Sequence, residues 1–526
     1  MADYFKMSDA ELIKERDELR VQYQHYKNMA LNLDMSRGKP CTEQLDLSME
    51  MLKMNDYIGE NGFDARNYGL LEGMPEARRF FAELLGVQAE NVIVCGNSSL
   101  QMMYYLIDLG WRQGFVDSQR PWRHYNSIKF LCPVPGYDRH FRVTEYFGFQ
   151  MISIPMTENG PDMDMVEEMV AKDDSIKGIW CVPVYSNPDG YIYSDETVRR
   201  LAEMKTAAPD FKIIWDDAYC VHHLTDEIIE IPNILTECKK AGNSERPLIF
   251  CSTSKITYPG AGVAAVAASK RNIQHIVTNM HPMIISFDKL NQLRHVRYLK
   301  NKQGVLEHMK KHRAILAPKF RMVLDHFESE LTPCGNIAHW TNPKGGYFIS
   351  LYVMPGTAKR TAFLCRDAGL QLTGAGSAFP YQLDPQDTHL RIAPTYPSLE
   401  DLKLASTDMV ILPGGLGGVH SILACDTAMN FIRLAYEDGK YIAAICAAPT
   451  ILAQLHITDG RKATCYPGLE EKMGAAVMTA CGAVQDGRVI TGRAAGSADE
   501  FGLLCLQALK GKAAADQVAA DIVYRA

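Results

Sequence analysis

The sequence predicts an α/β protein built around a mostly parallel sheet with helices on both faces. Between about residues 60 and 300, short apolar runs alternate with longer amphipathic stretches, as in successive βα units. Seven of the runs have the length and composition of buried strands. They lie at 92–95, 128–131, 151–154, 178–182, 212–215, 248–251 and 263–267, and they predict a seven-stranded sheet.

An N-terminal helix precedes this sheet. Ser8 and Glu11 form a capping-box pattern, and apolar residues at near-helical spacing follow them. We therefore expect a helix over about 8–29, within an N-terminal segment that spans 1–60.

Three further domains are expected after this segment. The large sheet domain occupies 61–304, and a smaller α+β domain occupies 305–406. A fresh βα alternation then runs over 407–526 and predicts a separate α/β domain. No linker-like composition marks the boundary, which we place at 406/407.

Composition excludes several classes of protein. The chain has 526 residues, 47% hydrophobic and 22% charged, and a formal net charge of -7. These values are ordinary for a globular protein and give no electrostatic footprint for nucleic acid or an anionic membrane. The fourteen cysteines include no Cys-x-x-Cys pair, the first residues do not resemble a signal peptide, and no apolar run could span a bilayer. We therefore expect a cytoplasmic protein.

A polar quartet, Ser-Thr-Ser-Lys at 252–255, directly follows the predicted strand 248–251. The neighbouring predicted strand, 212–215, is followed by Asp216 and Tyr219. A lysine, hydroxyl groups and a carboxylate at adjacent strand ends are the groups that hold pyridoxal phosphate. Considered alone, the quartet is more typical of an ordinary polar loop than of a catalytic site.

Several motifs in a shared order give the chain a family resemblance. Over about 30–405 it resembles the fold-type I pyridoxal-phosphate aminotransferases of class I/II. It is most similar to a bacterial aspartate aminotransferase subgroup with this Ser-Thr-Ser-Lys motif and a following Gly-Ala-Gly. The resemblance implies transamination of an amino acid with a 2-oxo acid, with aspartate and 2-oxoglutarate as the expected pair. It also implies a homodimer with shared active sites.

The resemblance assigns five residues to the cofactor ring. Lys255 would bind the cofactor covalently and move the substrate proton. Asp216 would keep the ring nitrogen protonated, and Tyr219 and Asn187 would bind the ring oxygen. Tyr137 would stack on the ring. Without the other motifs, the segment around Asn187 is equally well explained as a plain β-turn.

Other residues are assigned to the phosphate. Ser98 and Ser99 stand at a predicted helix start, where hydroxyls and backbone N–H groups form an anion site. Ser252 and Ser254 are expected to contribute as well. Tyr68 matches a tyrosine that reaches the phosphate of the neighbouring subunit.

The substrate is expected to contact two segments. Arg391 matches the arginine that grips the α-carboxylate, for which a guanidinium offers a bidentate fork. Gly38 belongs to an Arg-Gly-Lys-Pro segment at 37–40 that resembles a strap closing over the substrate. His140 matches a histidine that orients the carboxylate of Asp216.

The chain departs from the wider family in two places. Position 263 is valine, where an arginine usually pairs with the phosphate. The arginine that would read a side-chain carboxylate is not evident, and Arg139, Arg294 and Arg297 are its candidates.

Two motifs suggest other ligands but lack the context for them. The Gly-Ala-Gly at 260–262 is followed by a predicted strand and not by the helix that a dinucleotide site needs. His308 and His312 share a helical face, and two lysines lie between them. We expect a solvated helix there and no metal site.

The C-terminal segment resembles a second family, the ThiJ/PfpI superfamily, through 409–415, 443–449 and 490–493. Cys446 stands between a predicted strand and a helix start, a position that exposes sulfur. By composition alone, a cysteine in so apolar a run is more often an inert core residue, but the resemblance matches it to the family's nucleophilic cysteine. The segment resembles only the later part of that fold, and it lacks the region whose glutamate bonds the cysteine. We therefore expect a partial flavodoxin-like unit, joined as in a chimera, that is only partly stable and whose Cys446 is a vestigial nucleophile.

Two alternative functions remain open from the sequence. One is a glyoxalase or deglycase activity that depends on Cys446. The other is a transcription regulator that uses an aminotransferase-like domain to sense an effector. Such a regulator needs a basic winged helix-turn-helix, and none precedes the strap.

Overall fold

The computed structural model describes residues 3–29, 31–405 and 407–524. The chain forms two compact units, one of Met1–Tyr23 and Asn32–Pro397 and one of Gln24–Leu31 and Ser398–Ala526. Within the described ranges no helix combines the length and apolar character needed to cross a membrane. All fourteen cysteines are free thiols.

The elements of the chain before residue 398 alternate as the sequence predicts. The strands are β1 (Leu33–Asp34), β2 (Val92–Val94), β3 (Lys129–Val134), β4 (Gln150–Thr157), β5 (Gly160–Pro161), β6 (Ile176–Cys181), β7 (Lys212–Asp216), β8 (Pro247–Ser252), β9 (Ala264–Ala267), β10 (Ala338–Trp340), β11 (Ile349–Val353), β12 (Leu370–Gln371) and β13 (His389–Ile392). The helices are α1 (Asp9–Asn28), α2 (Thr42–Asp46), α3 (Pro75–Leu85), α4 (Ser99–Arg112), α5 (Asp138–Tyr146), α6 (Met163–Lys172), α7 (Asp195–Glu203), α8 (Ile234–Lys240), α9 (Lys270–Met280), α10 (Lys289–Leu299), α11 (Lys302–Glu330) and α12 (Ala358–Asp367). Short 3₁₀ helices lie at Tyr4–Lys6, Met49–Lys53, Ala89–Asn91, Trp122–His124, Thr332–Cys334 and Pro380–Gln382.

The large sheet has the strand order β2-β9-β8-β7-β6-β3-β4-β5. The pairs from β8 to β4 are parallel, whereas β9 runs antiparallel to both of its neighbours. All seven predicted strands are present. The two-residue strand β5, paired antiparallel with the end of β4, adds an eighth that is too short to show in the apolar pattern.

Helices cover both faces of this sheet, which confirms the predicted α/β class. Alternate residues of each strand enter two separate cores. Ile213 and Trp215 of β7 pack in one, for example, and Ile214 packs in the other. Because both faces are covered, β6 and β7 are buried along their whole length, and most of their residues are apolar.

A smaller antiparallel sheet, β10-β11-β13, brings two distant segments together. Ser350 of β11 lies directly opposite Arg391 of β13. The N-terminal strand β1 pairs with β12, so that the segment after Asp34 runs beside the segment after Gln371. This pairing brings the predicted strap to the same region as β13.

The predicted N-terminal helix is confirmed as α1. The Ser8 backbone N–H donates to Glu11 Oε2 at 2.8 Å, and the Glu11 N–H donates back to Ser8 Oγ at 3.4 Å. These reciprocal bonds satisfy free donors at the helix start.

The second unit is a smaller α/β fold. Its strands are β14 (Met409–Leu412), β15 (Tyr441–Ile445), β16 (Lys462–Ala463), β17 (Val477–Met478), β18 (Ala483–Asp486) and β19 (Val489–Gly492). Its helices are α13 (Leu399–Ala405), α14 (Leu416–Leu423), α15 (Asp426–Glu437), α16 (Pro449–Gln454), α17 (Ala498–Lys510) and α18 (Lys512–Asp521), with 3₁₀ helices at Glu470–Met473 and Ala495–Ser497. The sheet order β14-β15-β19-β18 leaves β14 at an edge, where Ile411 is 52% exposed.

Candidate active site

Polar residues that follow the strands of the large sheet meet β13 and the N-terminal strap around a cavity of about 450 Å³. Six predicted site residues line it: Gly38, Tyr137, Asn187, Tyr219, Lys255 and Arg391. The parallel strands end at one edge of the sheet, which is where side chains from separate βα units converge. The cavity is therefore the candidate site of this unit.

Lys255 lies just beyond the end of β8 with its amine facing an aromatic ring. Its Nζ is 4.9 Å from the ring centroid of Tyr219. Burial lowers the pKa of the Lys255 amine below its usual range, and the negative charge of Asp216 partly opposes this. A larger fraction of the amine is therefore neutral near pH 7 than in an exposed lysine.

Asp216 is the last residue of β7 and is 3% exposed. Its Oδ2 accepts a hydrogen bond from His140 Nε2 at 3.0 Å. The His140 ring stacks on Trp180, with centroids 4.4 Å apart and planes 9° from parallel. Asp216 Oδ1 is buried without a hydrogen-bond partner in the part of the chain that the structure describes. The carboxylate is thus held through one oxygen and available to a ligand through the other.

Arg391 is 6% exposed and is fixed from three sides. Its Nη1 donates to Asp138 Oδ1 at 3.1 Å and to Asn187 Oδ1 at 3.2 Å. Its Nε and Nη2 both donate to Thr373 Oγ1 at 3.3 Å, and its guanidinium lies 4.9 Å from the Phe348 ring centroid. These contacts fix the orientation of the guanidinium, and its permanent positive charge lies at the cavity wall, where it can attract a carboxylate.

Hydroxyl groups gather where α4 begins. Ser252 Oγ donates to Ser254 Oγ at 3.2 Å, and Ser254 Oγ donates to the Asn97 carbonyl at 3.1 Å. Ser98 is the N-cap residue of α4, but its side chain makes no capping hydrogen bond, and Ser99 begins the helix. The cluster therefore combines the four serine hydroxyls with a helix N-terminus, a combination suited to an anion.

In the second unit, Cys446 lies between β15 and α16 and is half-buried. Its φ of +66° lies in the left-handed region, which a non-glycine residue rarely adopts. Gly414 makes this turn possible, because a Cβ there would lie 2.5 Å from Cys446 Cβ. Cys446 thus occupies a strained strand-to-helix turn, the location predicted for it.

Comparison with known proteins identifies the first unit. The family model described as aspartate amino-transferase matches residues 7–413. The chain belongs to the aspartate aminotransferase family. An aspartate aminotransferase of Corynebacterium glutamicum is 47% identical over 392 residues, which cover 74% of this chain and 90% of that protein. The crystal structure of an aspartate transaminase from the same species has a TM-score of 0.74 at 44% identity and covers 77% of this chain and 96% of that one.

The aminotransferase also carries a domain of a second family. The DJ-1/PfpI family model matches residues 366–508, so the two matches overlap over 366–413. The Parkinson disease protein 7 homolog of Danio rerio is 34% identical over 166 residues, which cover 30% of this chain and 86% of that protein. Both predicted resemblances are confirmed.

Of the three arginines considered for a side-chain carboxylate, one lies at the cavity of the aminotransferase. Arg139 lines the cavity, as do Arg37 and Lys39 of the strap. Arg294 instead donates to the Met54 carbonyl, and Arg297 donates to the Ile58 carbonyl. Arg37 is a further candidate that the sequence does not single out, because its place at the cavity depends on the pairing of β1 with β12.

Three other predicted positions differ in how close they come to the cavity. Gly38 lies against Phe348, and a Cβ at Gly38 would be 2.5 Å from Phe348 Cζ, so no larger residue fits. Tyr68 is 75% exposed and is not part of the cavity lining. Val263, which replaces the family's arginine, is 2% exposed and packs in the core of the large unit.

The predicted solvated face at His308 and His312 is wrong. The two residues are 5% and 1% exposed, and their Nε2 atoms lie 3.1 Å apart. Gln44 Nε2 lies 2.9 Å from His312 Nδ1, which continues this network into α2. Burial and the neighbouring His308 lower the pKa of His312 to about 3, so the pair is neutral at pH 7. The intervening lysines face solvent, which is why the segment looked exposed in the sequence.

Proposed function

We propose that this aminotransferase uses pyridoxal phosphate to transfer the amino group of aspartate to 2-oxoglutarate. The observation that carries the proposal is the buried carboxylate of Asp216. Among the described residues it is paired with His140 through one oxygen and has no partner at the other. A buried charge with an unused acceptor is costly unless a ligand satisfies it. The protonated ring nitrogen of pyridoxal phosphate is such a ligand, so the residues present fit this cofactor.

The other proposed contacts form two groups, one to the phosphate of the cofactor and one to its ring. Ser98, Ser99, Ser252 and Ser254 would bind the phosphate at the start of α4. Tyr219, Asn187 and Tyr137 would contact the ring from the cavity wall. When bound, pyridoxal phosphate supplies an electron-accepting ring that stabilises negative charge at the substrate α-carbon.

Lys255 is the group that would move the proton. Because burial lowers its pKa, the neutral amine needed to accept a proton from the α-carbon is available near pH 7. The nearby Tyr219 ring and the charge of Asp216 favour the ammonium form once the proton has been taken. The same amine can therefore take up and return a proton without leaving the cavity.

Arg391 would hold the substrate α-carboxylate. Its preset orientation spares the substrate the cost of ordering a flexible side chain. The tight contact between Gly38 and Phe348 would keep the strap close to the bound substrate.

The cavity also carries cations suited to a second carboxylate. Arg37 and Arg139 line it, and neither has an ion-pair partner in the described ranges. Arg391, in contrast, is already paired with Asp138. These unpaired charges favour a dicarboxylic substrate, which agrees with the name of the Corynebacterium relative.

A selective loss of affinity is expected when these cations are removed. Arg139→Ala and Arg37→Ala should each raise the KM for aspartate by about tenfold, because a charge-assisted contact to the distal carboxylate is lost. The KM for alanine, which has no distal carboxylate, should stay unchanged. Arg142→Ala, on the same helix as Arg139 but paired with Glu145, is the matched control. Equal losses with aspartate and alanine would contradict the assignment.

A donor panel tests the proposed function as a whole. The purified chain, supplied with pyridoxal phosphate and 2-oxoglutarate, would be given aspartate, alanine, tyrosine and lysine in turn, and glutamate formation measured. We expect aspartate to be the best donor. Activity with none of the donors would overturn the proposal.

We further propose that two copies of the chain form the active enzyme. Tyr68 is exposed and lies outside the cavity of its own chain. Its exposure leaves it free to contact a second copy, and we propose that it binds the phosphate there. Tyr68→Phe should weaken retention of pyridoxal phosphate, measured by equilibrium dialysis, without changing the KM for aspartate.

The second unit is proposed to add no thiol catalysis. Between residues 407 and 524, no carboxylate hydrogen-bonds to the Cys446 thiol, although Cys446 lies in a positive-φ turn between a strand and a helix. The exposed Ile411 on the edge strand β14 fits the proposal that this unit is only partly stable. Methylglyoxal consumption should be the same for the wild type, Cys446→Ser and the control Cys425→Ser. A rate that disappears only in Cys446→Ser would contradict this prediction.

A further inference from the structure

A buried carboxyl group that the proposed chemistry does not use lies next to the cavity. Asp189 is 2% exposed and comes two residues after Asn187, within the turn at 186–190. The turn is closed by the Gly190 N–H, which donates to the Ser186 carbonyl at 2.7 Å. Asp189 extends from it to the small sheet, where the Tyr352 hydroxyl donates to Asp189 Oδ1 at 2.9 Å.

This contact completes a ring of interactions around the substrate arginine. Tyr352 lies on β11, and Ser350 of the same strand is directly opposite Arg391 of β13. Arg391 then donates back to Asn187 Oδ1 at 3.2 Å. The turn is therefore joined to the small sheet at two points, through Asn187 and through Asp189. Moving Asp189 must change the relation between Asn187 and Arg391.

The surroundings of Asp189 set its proton affinity. Burial raises the pKa of Asp189 to about 6, while the hydroxyls of Ser350 and Tyr352 oppose the increase. Ser350 Oγ also lies 3.0 Å from His389 Nε2. Burial lowers the pKa of His389 to about 3, so this imidazole is neutral throughout the range in which Asp189 titrates.

The other neighbours of Asp189 are aromatic or already paired. Tyr191, on the same turn, has its pKa raised by burial and by the charge of Asp189, with a smaller effect of Glu158. On the far side of Tyr352, the exposed His339 stacks on its ring with centroids 4.7 Å apart. Arg391 is the nearby permanent cation, and Asp138 and Asn187 share its Nη1.

We propose that Asp189 is a positioning residue for substrate binding, and that a proton on its carboxyl group loosens the alignment of Asn187 with Arg391. The ionised carboxylate accepts the hydrogen bond that the Tyr352 hydroxyl donates at 2.9 Å. The protonated group is a weaker acceptor for Tyr352, and its own O–H needs an acceptor within the buried turn. The inference rests on the proposed function, because it places Asn187 and Arg391 at the substrate carboxylate.

The titration of Asp189 makes the stability of the folded protein depend on pH in a defined direction. The pKa of Asp189 is higher in the folded protein than its ordinary value of 3.8, so the folded state binds this proton more tightly. The proton on Asp189 therefore stabilises the folded state fully below pH 3.8, and this stabilisation is lost as the pH rises through about 6. Asp189→Asn removes the titration, so its melting temperature relative to the wild type should rise as the pH increases from about 5 to about 7.5.

The test uses the full chain loaded with pyridoxal phosphate, and its probes are aspartate turnover and the binding of succinate, an unreactive dicarboxylate. Asp189→Ala and Tyr352→Phe should raise the KM for aspartate and the Kd for succinate by about tenfold, with kcat within about twofold of the wild type. Asp189→Asn, whose amide carries a donor as the protonated carboxyl group does, should bind succinate more weakly than the wild type near pH 7.5. The ratio of its Kd to the wild-type Kd should fall toward one near pH 5, since the ionisation of succinate itself cancels in this ratio.

Asp325→Asn, an exposed substitution on α11, is the control and should behave as wild type. A lower melting temperature with unchanged KM and Kd would overturn the inference, because it would show a purely structural role. If Asp189→Ala does not fold, the nearly isosteric Asp189→Asn and Tyr352→Phe still decide the matter. A wild type that binds succinate with the expected dependence on Asp189 but transaminates no donor would refute the proposed function and leave this inference standing.

Discussion

Replacing Lys255 with alanine is expected to lower kcat for transamination by about 10⁴-fold or more. The amine would both bind the cofactor and carry the substrate proton, and a positioned proton carrier alone accounts for about 10²–10⁴-fold. No other lysine among the cavity-lining residues stands in the same place, since Lys39 pairs with Asp34 at 3.1 Å. The measurement is oxaloacetate formation from aspartate in a coupled assay.

Loss of fold is not expected to explain that result. Burial disfavours the charged form of Lys255, so removing the amine relieves a desolvation cost. The melting temperature of Lys255→Ala should therefore equal or exceed that of the wild type. Lys344→Ala, which removes an exposed lysine paired with Glu227, is the matched control and should keep full activity. A Lys255→Ala protein with more than a tenth of wild-type kcat would contradict the role given to this residue.

Replacing Asp216 with asparagine is expected to lower kcat by about 10²–10³-fold. Asparagine keeps the size of the side chain and its contact with His140 but removes the negative charge. Breaking a buried ion pair costs about 3–5 kcal/mol. If the charge of Asp216 stabilises the transition state, a cost near the lower end of this range corresponds to the expected loss in kcat. Steady-state kinetics with aspartate would determine kcat and KM separately, and we expect most of the loss in kcat.

The adjacent carboxylate provides a close control for this substitution. Asp217 lies in a separate cavity with His223, and burial together with the charge of Asp216 raises its pKa to about 7. Asp217→Asn makes the same chemical change one residue away, so kcat should stay within about threefold of the wild type. Equal losses in the two variants would show that general packing, and not the charge of Asp216, is responsible.

The large sheet was predictable because its strands are buried on both faces. Runs such as 213–215 and 248–251 are apolar without interruption, and the polar residues after them, Asp216 and Lys255, mark where strands end. The two-residue strand β5 gives no such signal. The same is true of β12, which forms only through its pairing with β1.

The surroundings of the site residues were much harder to predict. Arg391 was singled out by its motif, but its partner Asp138 is 253 residues away in the chain. Thr373, which accepts two of its hydrogen bonds, belongs to no recognised motif. Contacts of this kind depend on how the small sheet packs, which local residue patterns do not encode.

The error at His308 and His312 has a related origin. A helix with lysines between two histidines looks solvated when each residue is judged by polarity. In the folded chain the i, i+4 pair faces inward and the lysines face outward. Residue type alone could not show that this polar face is buried, because the partners Gln44 and Ser48 come from a distant segment.

Borohydride trapping tests the central claim most directly. The purified chain would be incubated with pyridoxal phosphate, reduced with sodium borohydride and digested, and the peptides analysed by mass spectrometry. We predict a single stoichiometric pyridoxyl group on Lys255, absent when excess aspartate is added before reduction. A label spread over surface lysines, or no label at all, would contradict the account.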